Sequence, residues 1–157
     1  MNIWLVSLIA VFLPDVSPLV HVGSLADGLR SPARVAVAPD GRVYVTDPWA
    51  GKVVWYDAGG ALEGSWPIEE GPLGIAAHPD GRVFISLRDT NEVGIYVELN
   101  GILVHTGTLD GNGSPVVTFD GPTDIAVDPA TGRIYVVDAE SDDVYGFESD
   151  GSLALKF

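Results

Sequence analysis

The chain has no cysteine. This excludes disulfide cross-links, cysteine-ligated metal centres and a thiol nucleophile. Positive charge is scarce: 8 Lys and Arg stand against 22 Asp and Glu, for a net charge of −14. Nucleic-acid affinity comes largely from cationic side chains on phosphates, so DNA and RNA are not expected partners. The same acidity favours solubility and attracts cations. Sustained helical spacing of apolar residues is also missing. One uncharged apolar run stands out, Met1 to Leu13 (MNIWLVSLIAVFL). It falls short of the roughly 20 residues that a membrane-spanning helix needs, so no stable membrane span is expected. Its length suits the apolar region of a secretory signal. No Lys or Arg precedes it, however, and no small-x-small cleavage site follows. Residues 1–15 are read as a signal peptide or apolar N-terminal segment, and the location as extracellular or periplasmic.

Glycine (19) and proline (11) are abundant, and they are spread along the chain in short clusters. That distribution predicts many tight turns between short strands. Three segments align: SPARVAVAPDGRVYVTD from Ser31, GPLGIAAHPDGRVFISL from Gly71 and GPTDIAVDPATGRIYVVD from Gly121. Each opens on a small residue and a Pro. An apolar strand follows, then a turn ending in Gly-Arg, then a second apolar strand. The turns Pro39-Asp40-Gly41-Arg42 and Pro79-Asp80-Gly81-Arg82 carry hairpin chemistry, and the third, Pro129 to Arg133, has one extra residue. Pro presets the first turn residue, Asp bonds the backbone beyond it, and Gly takes positive φ. The second halves align as well, on Lys52 to Asp57, Glu92 to Val97 and Asp143 to Glu148.

Each unit therefore reads as four short strands, a to d. The expected fold is all-β, with about three propeller blades of four antiparallel strands over residues 16–157. The repeats fall at about 31–70, 71–120 and 121–157. Gly41 and Gly81 are 40 residues apart, and Gly81 and Gly132 are 51 apart. The longer interval comes from the segment Leu109 to Phe119, which reads as a flexible connection between the second and third units.

The pattern Pro-x-x-Ile/Val-Ala-Val-x-Pro-Asp-Gly-Arg-Val-Tyr-Val-x-Asp, followed by x-x-Val-x-x-Tyr/Phe, resembles the NHL repeat. The resemblance covers Ser31 to Phe157. It implies a β-propeller, usually closed by about six blades, and it says little about activity because fold does not dictate function. Leu19 to Gly23 resembles the outer strand of a preceding blade. Three blades close no ring alone. The chain is read as a fragment of a longer propeller, as half of a homodimer that completes a six-bladed ring, or as an open arc docked on another protein.

In such propellers strand a lines the channel, and the residues just before it rim one mouth. These are Ala33-Arg34, Leu73-Gly74 and Thr123-Asp124, of which Arg34 and Asp124 are polar and break the repeat. Trp49 in the b–c turn and Arg88 after the second strand b complete the binding candidates. A protein or small ligand at the channel mouth is the expected partner. Asp47, Asp89 and Asp138 stand near the ends of strands b. They suggest either oxygen ligands for Ca²⁺, with Asp47 and Asp138 as the metal candidates, or caps of the b–c turns. Repetition at one blade position favours the structural role. The loop Asp110-Gly111-Asn112-Gly113 lacks an acidic twelfth ligand, so it is no EF-hand. His21, His78 and His105 are scattered, with no zinc spacing.

Related lactonase-like propellers hold metals on side chains from several blades, with an Asn near the start of strand a. Here Leu73 and Thr123 take the comparable places. No catalytic set emerges. Repeats without a convergent catalytic set point first to a non-enzymatic protein-interaction or ligand-binding scaffold. A metal-dependent hydrolase or lyase, with the rest of its site on further blades, is the alternative.

Overall fold

The computed structural model describes residues 23–112 and 116–157. Met1 to Leu13, Leu19 to Val22 and His21 lie outside them. The first unit supplies β1 (Arg34–Val37), β2 (Val43–Asp47), β3 (Lys52–Tyr56) and β4 (Leu62–Pro67), with a 3-10 turn at Pro48–Ala50 between β2 and β3. The second supplies β5 (Pro72–Ala77), β6 (Arg82–Leu87), β7 (Glu92–Leu99) and β8 (Ile102–Thr108). The third supplies β9 (Pro122–Val127), β10 (Ile134–Asp138), β11 (Asp143–Phe147) and β12 (Leu153–Lys156). Each unit is one antiparallel four-stranded sheet in chain order. β1 packs beside β5, and β5 beside β9, so the first strands of the blades stand side by side.

The turns follow the residue chemistry. Gly41, Gly81 and Gly132 hold φ of +88°, +94° and +74°. Asp40 and Asp80 each accept the N–H of the Arg two residues on, at 3.1 Å. The longer third turn is held instead by Asp128, which accepts from the N–H of Ala130 at 2.9 Å and from the hydroxyl of Thr131 at 2.6 Å.

Strand alternation gives every blade two apolar faces. Tyr44, Val53, Trp55 and Trp66 of the first blade pack on Ile75, Val83, Ile85 and Tyr96 of the second. Phe84 and Val93 of the second pack on Ile125, Ile134, Val136, Tyr145 and Phe147 of the third. Trp55 and Trp66 lie between blades. Their rings stack at 5.4 Å, an arrangement worth about 1 kcal/mol beyond area burial. The Trp66 indole N–H donates to the Gly101 carbonyl of the next blade at 2.8 Å. Thr46, fully buried, donates across the same junction to the Leu73 carbonyl at 2.8 Å.

The segment between the second and third blades is not the loose connection expected. Leu109, Val117 and Phe119 are buried in the core of that junction, and the Phe119 ring meets Tyr145 edge-on at 5.4 Å. Glycine and Asn at its tip suggest looseness, but its apolar residues wedge into the gap between two diverging sheets. The segment before β1 is similar: Leu29 packs against Val45, Val54 and Tyr56, and the Tyr56 hydroxyl donates to the Asp27 carbonyl at 2.7 Å.

Candidate binding face at the channel mouth

Arg34, Gly74 and Asp124 hold the same place in the three units, two residues after Pro32, Pro72 and Pro122. They lie within β1, β5 and β9 rather than just before them. Pairing with strand b continues to this position in the first and third blades, Arg34 opposite Thr46 and Asp124 opposite Val137. At Gly74 the neighbouring strand comes very near. A Cβ there would sit 2.8 Å from the Asp124 Cα and 3.1 Å from the Thr123 carbonyl oxygen. Only glycine fits. The bare position also lets Arg34 and Asp124 meet across the middle blade, with Nε 3.3 Å from Oδ2. Both side chains remain nearly half exposed.

On the same face, the 3-10 turn after β2 presents Trp49 with 85% of its surface in water. Pro48, Trp49 and Arg88 line one shallow depression of about 300 Å³. The Arg88 guanidinium also lies 3.0 Å from Asp89. The structure thus brings the binding candidates together in two pairs, Arg34 with Asp124 and Trp49 with Arg88.

Asp47 and Asp138 serve backbone, and not that of the b–c turn expected for them. Asp47 is fully buried, and its two oxygens accept the N–H groups of Arg30 and Ser31 at 2.5 and 3.0 Å. Asp138 does the same for Asp120 and Gly121 at 2.8 and 2.7 Å. Each pins the segment that leads into the first strand of its own blade. These N–H groups are left over where the chain changes blades and are part-buried there, and even a fully buried donor without an acceptor costs only about 1–3 kcal/mol. Asp89 does not share this role. The aligned place in the second blade is Leu87, which is buried against the first blade. Among the described residues no three His, Asp or Glu side chains converge as a metal site. The one carboxylate among the three mouth positions, Asp124, is already paired with Arg34.

A cleft at the opposite end was not singled out from sequence. It holds about 350 Å³ between the first two Gly-Arg turns and is lined by Arg42, Tyr44, His78, Asp80, Arg82 and Glu98, among others. The repeated Asp-Gly-Arg was its signal. Its charges are mutually consumed: Arg42 pairs with Asp40 and Glu98, and Arg82 with Asp80. Burial pushes the Asp80 carboxyl up, but hydrogen bonds from the Arg82 side chain and backbone and from His78 outweigh it and hold it at about 2. His78 is buried, with Nε2 3.0 Å from the Gly132 carbonyl of the third blade.

No protein-family model matches the chain, and no curated protein is significantly similar to it in sequence. Solved structures are similar in fold. A gluconolactonase from Xanthomonas campestris aligns with TM-score 0.62 and 23% identity, over 83% of this chain and 48% of that one. Virginiamycin B lyase from Staphylococcus aureus aligns with TM-score 0.58 and 17% identity, over 81% and 41%. A chain of the nidogen/laminin complex aligns with TM-score 0.63 and 19% identity, over 80% and 46%. The chain spans less than half the length of each of these three propellers. The likeness, together with three antiparallel four-stranded sheets, shows the fold: the described chain is an arc of three β-propeller blades.

Proposed function

We propose that the chain is a non-catalytic binding module that takes a protein or a small ligand on the face carrying Arg34, Trp49, Arg88 and Asp124. The observation that carries this reading is Trp49, a large aromatic ring 85% exposed beside a guanidinium in a shallow depression. Exposed Trp and Arg are the side chains that most often dominate binding energy once a partner covers them. The reading includes an exported protein, on the strength of the apolar run Met1 to Leu13. It also includes descent from NHL-type repeats, on the aligned Pro-Asp-Gly-Arg units.

The competing reading is a metal-dependent hydrolase or lyase, prompted by the gluconolactonase and the lyase among the similar folds. Such a centre needs several oxygen or nitrogen ligands at the mouth. Here the three mouth positions hold a cation, a glycine and one paired carboxylate.

Two experiments separate the readings. In a peptide-array and glycan-array screen, Trp49→Ala with Arg88→Ala should abolish the contacts that the wild type makes while leaving its melting temperature unchanged. Elemental analysis of the purified protein should find no stoichiometric calcium or zinc. Bound metal with lactone hydrolysis or lyase turnover would overturn the binding reading.

A further inference from the structure

The repeat places two kinds of contact at each blade junction, and both are open at the two ends of the described arc. The first is apolar. Val35, Ile75 and Ile125 are one position of the repeat, on the face that looks back to the preceding blade. Ile75 and Ile125 are covered, at 3% and 7% exposure, whereas Val35 and its neighbour Val37 are 63% exposed. At the other end, Tyr135 holds the place of Tyr44 and Phe84, both buried against the next blade. Tyr135 is only half-buried, and Val137, two residues along the same face of the strand, is 41% exposed.

The second contact is a cation after each strand-a turn. Arg42 reaches forward to Glu98, and Arg82 reaches forward to the Ser149 carbonyl at 2.5 Å. Glu98 and Ser149 hold the same place in successive units, which in the first unit is Ala58, beside Asp57. Arg133 is the third member of the series. It turns back on its own blade, to Glu148 at 2.7 Å. The mouth adds a charge pattern to these two contacts. Arg34 opens the first blade with a cation, and Asp124 opens the third with a carboxylate. A blade like the first, placed after the third, would bring a new arginine beside Asp124.

We propose that a second copy of this chain closes the arc head to tail, the third blade of each copy packing on the first blade of the other. Val35 and Val37 of one copy then lie on Tyr135 and Val137 of its partner, and Arg133 faces the Asp57–Ala58 corner. The Arg34 and Asp124 of the two copies alternate around the mouth. The geometry supports a ring of two arcs because the chain spans 41–48% of the three solved propellers that it resembles. Two identical junctions related by a two-fold axis close the assembly and leave no end to grow into a filament. The opposing force is like charge, −14 on each copy. At about 0.15 M salt it is screened beyond about 8 Å.

The test is sedimentation equilibrium on the full chain at tens of micromolar in about 0.15 M salt. The expected result is a species of twice the chain mass, with small-angle scattering from a closed disc. Val35→Lys with Val37→Lys, and separately Val137→Lys, should each raise the dimer dissociation constant at least about tenfold. Circular dichroism should be unchanged, because these side chains are exposed in the single arc. Mixing the two variants should recover part of the dimer, since one of the two junctions is then undamaged on both sides. A monomer at every concentration would overturn the proposal. So would a dimer indifferent to all three lysines.

Discussion

Arg34 and Asp124 occupy the same place in two different repeats, yet they form one ion pair across the blade that separates them, 3.3 Å from Nε to Oδ2. The contact exists because the intervening repeat has Gly74 there. The pair is exposed, so its worth lies in arranging the mouth more than in holding the fold. A double-mutant cycle of Arg34→Ala and Asp124→Ala, followed by urea unfolding in a monomeric Val35→Lys, Val37→Lys background, should give a coupling of about 0.2–1 kcal/mol. The coupling should shrink in high salt. No coupling at low salt would mean that the pair adds nothing to stability.

Gly74→Ala tests the close approach of β5 and β9. Its Cβ would lie 2.8 Å from the Asp124 Cα, a backbone atom that cannot rotate away. The blades must separate, at a cost of about 1–3 kcal/mol. A variant as stable as the parent would show that the innermost strands stand further apart than described.

Asp47→Ala and Asp138→Ala should each cost about 1–2 kcal/mol, because each removes the acceptor of two N–H donors at a part-buried blade entry. Asp→Asn should restore part of that loss, since the amide offers one acceptor oxygen for two donors. Chemical denaturation measures both. If adding calcium rescued Asp47→Ala, the carboxylate would have a metal role that its hydrogen bonds do not suggest.

Two side chains with large shifts contribute to the pH dependence of stability. Asp80 is held at about 2, below its ordinary 3.8. A depressed carboxylate stabilises the fold above pH 3.8, and that stabilisation is lost as pH falls from there to about 2. Half of the Asp80 side chain is exposed, so the contribution is at most about 1 kcal/mol. Asp80→Asn should lower stability at neutral pH and flatten the acid limb of the unfolding curve between those values.

At the alkaline limit, burial and then the charges of Glu70 and Glu92 push the Tyr96 hydroxyl up to about 12. The folded state keeps that proton when the unfolded chain has released it, so stability falls as pH rises from 10 towards 12. Ultraviolet titration should show a late-ionising tyrosine, and Tyr96→Phe should soften the alkaline loss.

The sequence by itself determined the strands, their order and their turns. Pro-Asp-Gly-Arg and its longer variant at Pro129 fix hairpins through local backbone chemistry, and alternating apolar residues fix which faces are buried. Repetition of those signals grouped the strands into three sheets of four. Trp49 was legible as an exposed aromatic for the same reason: it sits in a turn, outside the alternation.

Relations between blades were not legible. The wedge of Leu109, Val117 and Phe119 reads as a loop because its glycines dominate the local signal, while its burial depends on two sheets diverging around it. The partners of Asp47 and Asp138 are backbone groups 16 to 18 residues away, and no side-chain pattern marks them. Repeat alignment made Arg34 and Asp124 equivalent, and equivalence says nothing about contact. Only the radial packing of the blades, with a glycine between them, turned two members of a series into partners. Local turns are fixed by neighbours in the chain, whereas the mouth is fixed by how far apart whole sheets come to rest.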